Sequence, residues 1–371
     1  MDELVWLLLP VAAASGWWAA MRSARRREAD GRQERNPVYF RGLNHLLNEE
    51  PDKAIDAFVE MLEVDSDTVE THLALGSLFR RRGEVERAIR IHQNLIARPA
   101  LTSEQRGQAL LELGQDYLRA GLYDRAENLF NELRQNRLHL PQALQHLLTI
   151  YQQERDWEAC LRTAEELERQ AGEDRSREKS HYYCELAEQA RRQGQSKQAQ
   201  ALLRKALGAD AGCVRALHLQ ARIERESGSI ADAVKLLMTI VEKDPDYIPE
   251  VLDEIAEALR ALGQRDRLRR FLQEVADRHP NRGAELHLVE LMRESEGEEA
   301  AVAYLGEYIE RTPSLLGLMR LLELRCGRPG DRNDGLLQQV RGQLQHLINE
   351  RSAYQCRKCG FEAKTLHWQC P

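Results

Sequence analysis

A repeat of 34 residues runs through most of this chain and narrows the possible folds more than any other feature. Gly42 and Gly76 are 34 apart, as are Ala54 and Ala88, Ala126 and Cys160, Gly194 and Gly228, and Ala199 and Ala233. Gly114 and Ala126 follow their counterparts after 38, the extra four residues falling in the linker around Arg98 to Glu104. Pro245 to Pro280 is 35 and Pro280 to Pro313 is 33. A segment of this length holds two short helices and a turn. One such pair cannot bury its apolar face alone, so neighbours must stack and share a continuous core.

The residues inside the period sharpen this. The third unit carries Leu110, Leu113, Gly114, Tyr117, Ala126 and Phe130, and the second carries Leu75, Gly76, Phe79 and Ala88. The sixth ends on Ala221, Ala233, Leu237 and Pro245. This order resembles the tetratricopeptide repeat, with a small residue at its eighth and twentieth positions, an aromatic at the eleventh and proline near the end. The small residues are expected to face each other where the two helices of a unit cross. Gly83, Gly121, Gly194, Gly228 and Gly263 are expected at the turn inside a unit, where a positive φ suits glycine. Eight units are readable, near 35–68, 69–102, 107–140, 141–174, 180–213, 214–247, 249–281 and 282–314, with a degenerate ninth pair over 315–350. The breaker-rich stretch Cys326 to Gly335 within that ninth pair reads as a surface loop. The expected fold class is all-α, a tetratricopeptide superhelix over 36–350.

The two ends are of another kind. Leu4 to Met21 is free of charge, and a helix of that length spans about 27 Å, close to a bilayer's hydrocarbon thickness. Trp6 near one end and Trp17 and Trp18 near the other fit an interfacial belt. A cleavable signal peptide would want a positive leader, whereas this segment begins Met1-Asp2-Glu3. The positive residues come after it, Arg22, Arg25, Arg26, Arg27, Arg32 and Arg35. Residues 1–21 therefore read as a retained single-pass anchor and 22–35 as a basic juxtamembrane segment. The body is then expected on the cytoplasmic side, with the arginines also able to attract anionic lipid.

The tail, 351–371, carries Cys356-Arg-Lys-Cys359-Gly360 and then Cys370-Pro371. Two cysteines two residues apart, followed by glycine, form a knuckle that aims both thiolates at one ion, iron or zinc of the rubredoxin type. A second knuckle begins at Cys370 and stops before its partner cysteine. Either the tail is truncated through a four-ligand site or His367 is the fourth ligand beside Cys356, Cys359 and Cys370. Trp368 is expected to shield this site, and Trp157 to cap a groove near a turn inside a unit. Cys160, Cys184, Cys213 and Cys326 lie far apart and read as reduced, buried and small, as in a cytosolic protein.

A net charge of −7 without a long basic stripe argues against nucleic-acid recognition. There is no phosphate loop, dinucleotide fingerprint, zincin motif or nucleophile elbow, and no histidine pair at i, i+4. Nothing reads as a catalytic site, and the chain is expected not to be an enzyme.

An anchor, a repeat array and the tail Tyr354-Gln-Cys356-Arg-Lys-Cys359-Gly360-Phe361 running to Trp368-Gln-Cys370-Pro371, in that order, resemble the lipopolysaccharide assembly protein B (YciM) family over the whole chain. The resemblance implies a four-cysteine site of which Cys356, Cys359 and Cys370 match three ligands, the fourth falling two residues beyond Pro371. It implies an inner-membrane adaptor that restrains lipopolysaccharide synthesis by promoting degradation of the LpxC deacetylase by the FtsH-type membrane protease. It also implies antagonism by a PbgA/YejM-type inner-membrane regulator. Other readings are a generic membrane-tethered peptide-binding scaffold for envelope proteins and a rubredoxin-like electron-transfer protein. Self-association is compatible with all three.

Overall fold

The computed structural model describes residues 41–368, except 43, 46–47, 49, 51–52, 59–68 and 326–333. The anchor, the juxtamembrane arginines, Cys326 and Cys370 lie outside the described residues. The chain divides into two compact units at Arg175/Ser176.

In the N-terminal unit the helices described from end to end are α1 (Val69–Arg82), α2 (Val85–Ile96), α3 (Ser103–Arg119), α4 (Tyr123–Asn136), α5 (Leu140–Glu154) and α6 (Trp157–Ala171). In the C-terminal unit they are α7 (Ser176–Arg192), α8 (Ser196–Ala209), α9 (Val214–Glu226), α10 (Ile230–Lys243), α11 (Ile248–Ala261), α12 (Arg265–Arg278), α13 (Ala284–Ser295), α14 (Glu298–Arg311), α15 (Leu315–Arg325) and α16 (Asp334–Glu350). A 3-10 turn, Pro245–Tyr247, precedes α11, and a two-stranded hairpin, β1 (Tyr354–Gln355) with β2 (Glu362–Ala363), closes the described chain. The architecture is the expected all-α array of antiparallel helix pairs. Among the described residues no helix is long and apolar enough to cross a membrane.

Each helix starts and stops for local reasons. Thr102 and Gln105 form a reciprocal capping box ahead of α3, and Asp156 accepts the Ala159 amide at the start of α6. Gly121 ends α3 at φ +73, so that its own N–H reaches the Leu118 carbonyl and the Leu122 N–H reaches that of Tyr117. That doubled bond satisfies carbonyls the helix end would leave bare, and only a left-handed residue permits it. The same pair of bonds recurs at the other four expected turn glycines, which all have positive φ. In the α5–α6 pair Arg155 takes this place at φ +59, a conformation that costs an L-residue about 1–2 kcal/mol.

At the eighth position the nearest neighbour is a ring. A Cβ on Gly42 would meet the ring of Phe58 at 2.8 Å, one on Gly76 the ring of His92 at 2.3 Å, and one on Gly114 the ring of Phe130 at 2.6 Å. In each case the partner lies sixteen residues on. Glycine thus admits a large flat ring between the helices of a pair. The twentieth position (Ala54, Ala88, Ala126) is fully buried beside it. A ring edged against the glycine backbone helps make the crossing tight.

The fifty-eighth and 130th positions hold phenylalanine, but the equivalent in the α1–α2 pair is His92. It is fully buried and donates from Nδ1 to Asp116 Oδ2 at 2.5 Å, Asp116 being fully buried too. Arg80 reaches the same carboxylate at 2.7 Å and Glu112 at 2.6 Å. A charged network therefore ties α1 and α2 to α3. Further ion pairs span successive helix pairs at similar spacing, Arg134 with Glu166 in the N-terminal unit and His218 with Glu254 in the C-terminal one.

The C-terminal unit has the more apolar interior. Its largest cluster gathers Val234, Leu237, Ile240, Ile248, Val251, Leu252, Ile255, Leu259, Leu268 and Leu272, all 2 % exposed or less. Burying each such side chain contributes about 1.5–3 kcal/mol. This cluster makes a rigid floor for what lies on its surface.

Candidate functional site

The tail forms a small knuckle lying on the C-terminal unit. Tyr354 pairs with Ala363 and Gln355 with Glu362, bringing the chain back on itself over six residues. Inside that hairpin the Cys356 N–H donates to the Phe361 carbonyl at 2.8 Å, and the Gly360 N–H donates to the Cys356 carbonyl at 2.9 Å. Gly360 has φ +75, where a side chain would be strained. Cys356 and Cys359 sit at either end of the turn these bonds close, the first half-buried and the second exposed. Two thiols on one short turn, with backbone amides bonded inside it, are the donor type and spacing that a tetrahedral zinc or iron ion takes. The residues present thus fit half of such a site.

The other expected ligands stand as follows. Cys370 lies outside the described residues. His367 is exposed, its ring edge-on to Phe361 at 5.8 Å, with Nε2 3.5 Å from the Thr365 hydroxyl. Among the described residues no three His, Cys, Asp or Glu side chains gather in a metal-binding cluster.

Among the described residues, contacts of two kinds tie the knuckle to the array. Arg357 donates to Asp246 Oδ2 at 2.8 Å, while Arg282 donates to Oδ1 of the same carboxylate at 2.7 Å. Arg282 first and Arg357 second hold Asp246 below the usual carboxylate range. With Arg357 91 % exposed, this bridge is screened by solvent and fixes orientation more than it stabilises.

Trp368 makes the contact of the other kind. Its ring stacks on Tyr247 at 5.6 Å with 8° between the planes, His181 lies tilted at 6.5 Å, and the Arg215 guanidinium sits 5.6 Å above it. It packs on the edge of the apolar floor described above. Burial of an indole against such a surface contributes about 1.5–3 kcal/mol, with about 0.5–1.5 more from ring stacking. Trp368 is therefore the anchor of the tail. It was expected to shield the metal; the ring instead faces the array, because Tyr247 and Arg215 offer it a flat apolar face and a cation. Trp157, expected to cap a groove, opens α6 and is buried, at 5 % exposure.

The seat is built by three elements. His181 projects from the first turns of α7, Arg215 from the start of α9, and Tyr247 from the 3-10 turn before α11. Arg215 is held by Glu185 at 2.8 Å, so its guanidinium plane is set before the indole arrives. Burial, then Arg215 and Arg177, hold His181 below its usual value, keeping the imidazole neutral beside the cation. Sequence reasoning singled out Trp368 but not its partners. Tyr247 follows Pro245 by two residues, and that local signature of a turn was the only hint available.

The side chains of this site hold the Cys356–Cys359 turn onto a helical scaffold.

Comparison with known proteins bears on both parts. Tetratricopeptide repeat models match residues 71–106, 190–253 and 250–282. Lipopolysaccharide assembly protein B of Escherichia coli strain K12 is 39% identical over 373 aligned residues, covering 100% of this chain and 96% of that protein. Its counterpart in Haemophilus influenzae is 35% identical over 383, covering 100% and 96%. Among solved structures, a chain of Naa15/Naa10 bound to HypK-THB aligns with TM-score 0.42 at 16% identity, over 87% of this chain and 52% of that one.

Proposed function

The chain belongs to the lipopolysaccharide assembly protein B family, and we propose that it is a non-catalytic adaptor that restrains lipopolysaccharide synthesis from the cytoplasmic face of the inner membrane. In this reading residues 1–21 anchor it and the arginines of 22–35 hold the array against anionic lipid. The array presents the LpxC deacetylase to an FtsH-type membrane protease, and a PbgA/YejM-type inner-membrane protein opposes this.

The observation that supports the reading is similarity over the whole length of the chain. A repeat scaffold alone could serve any partner. Cys356 and Cys359, with Cys370, would hold one iron or zinc ion. Bound there, the ion supplies a rigid cross-link within a tail too short to build its own core. Trp368 and Arg357 then transmit that rigidity to the array surface around Tyr247 and Asp246.

Depletion of the chain in its own bacterium is expected to raise the deacetylase level several-fold. Re-expression of the Cys356→Ser, Cys359→Ser double variant should fail to lower it, while circular dichroism of the purified variant stays helical. An unchanged deacetylase level on depletion would sink the adaptor reading and leave a tethered scaffold with another client. Full rescue by the double variant would remove the metal tail from the mechanism.

A further inference from the structure

Cys184 and Cys213 are 29 residues apart in the chain yet meet in the core of the C-terminal unit, with Sγ atoms 3.9 Å apart. Cys184 stands in the middle of α7, and Cys213 is the residue that caps α9, in the next helix pair. They are 0 % and 4 % exposed. A buried cysteine usually serves as a small apolar filler. Cys160 does so here: it sits in α6, and burial pushes its thiol up to about 12.

The 184/213 pair differs in three ways. The two sulfurs are in contact at 3.9 Å and must close to about 2.04 Å to bond. Cys213 occupies a helix N-terminus, where the α9 dipole favours a thiolate. The hydrogen bond from Cys184 is the largest cause lowering Cys213, acting against burial, while Cys184 is raised. The acidic partner is thus Cys213. The two residues before it, Ala211 and Gly212, are exposed.

We propose that Cys184 and Cys213 are a peroxide-responsive dithiol that closes into a disulfide joining α7 to α9. The Cys213 thiolate attacks one oxygen of hydrogen peroxide, the O–O bond breaks, and hydroxide leaves Cys213 as a sulfenic acid. The Cys184 sulfur then attacks the Cys213 sulfur and gives up its proton. The sulfenic oxygen leaves as water. Two thiols and one peroxide become one disulfide and two waters, with two electrons passing from sulfur to oxygen. The bond would stitch together the two helices that carry His181 and Arg215, and so lock the seat of Trp368 in place. This inference stands apart from the adaptor reading.

The test uses the full-length protein in detergent, treated with hydrogen peroxide, alkylated, digested and read by mass spectrometry. A linked Cys184–Cys213 peptide is expected, with Cys160 still alkylated as a thiol. With a sulfenic-acid trap such as dimedone, Cys184→Ser should be labelled at Cys213, while Cys213→Ser should leave Cys184 unlabelled. Absence of the linked peptide when the exposed Cys359 has been oxidised overturns the proposal. Labelling of Cys184 in preference to Cys213 overturns the assigned order of attack. Because the linked peptide is sought in the unmutated chain, poor folding of either variant does not blunt the test.

Discussion

The two units use the same repeat and solve different problems with it. The N-terminal unit turns charge inward: His92, Asp116, Arg80 and Glu112 form a network in which the histidine and aspartate are wholly buried. The C-terminal unit buries Ser180 and Glu285 but, among the described residues, no comparable ion network; it gathers a large apolar cluster and presents an aromatic seat on its surface, around Trp368, Tyr247, Arg215 and His181. Buried ion networks are poor sources of net stability, but they penalise every arrangement that leaves a member unpaired. The N-terminal unit is thereby held in one register of α1, α2 and α3. An apolar interior gives no such directional constraint but makes a firm floor. That is what an aromatic seat for a separate module requires.

The sharpest way to break this contrast is to remove the hub of the network. Asp116→Ala leaves His92 and Arg80 buried without their shared carboxylate, and is expected to destabilise the N-terminal unit by about 3–5 kcal/mol. Hydrogen exchange read unit by unit should show lost protection in α1 to α3 and none in α9 to α12. Equal loss in both units would show that they unfold together and undo the distinction.

Trp368→Ala addresses the outer seat. It is expected to lower the free energy of tail docking by about 2–3 kcal/mol. Amide protection should be lost at β1 and β2 while the C-terminal unit keeps its melting temperature. Arg357→Ala, on the same footing, should barely change protection, since its bridge to Asp246 is solvent-screened. If the arginine variant frees the tail as fully as the tryptophan variant, orientation and not burial governs docking.

A smaller effect follows from pH. Burial first, then Arg215 and Arg177, lower His181 in the folded protein. The unfolded imidazole titrates near its ordinary value of about 6.5, so below that pH the unfolded state binds more protons than the folded one. The contribution of neutral His181 is therefore complete above about 6.5 and declines as pH falls through and below that value. Exchange protection of the tail should weaken between neutral pH and about 5.5, and His181→Phe should remove that dependence. An identical pH profile in the variant would place the responsible group elsewhere.

Much of this arrangement was legible before any coordinates. The 34-residue period placed the helix pairs, and the glycines that close them all have the left-handed φ their spacing implied. The knuckle at Cys356 and Cys359 and the resemblance to the family were carried by the tail's own residues. The eighth-position glycines were found, but the ring that lies nearest each of them was not. A periodic pattern identifies which positions recur, whereas the helix crossing decides which of them touch. His92 could have been noticed as a polar residue at a position where the neighbouring repeats carry phenylalanine. Its partner could not, because Asp116 is one of many carboxylates and nothing local distinguishes it.

By itself the sequence determined the class of fold, the stacking of like units and the closeness of Cys356 and Cys359 on one short turn, because each follows from local spacing. Periodicity, turn glycines and paired cysteines act within one helix pair or one turn, so their consequences can be read in order along the chain. Only the tertiary structure decided that Trp368 lies on Tyr247, that Arg80 and His92 share Asp116, and that Cys184 meets Cys213. Each of those contacts joins residues from different helices or modules. Their meeting depends on the angle and rise between neighbouring pairs, which the summed packing of many side chains sets and no single motif encodes.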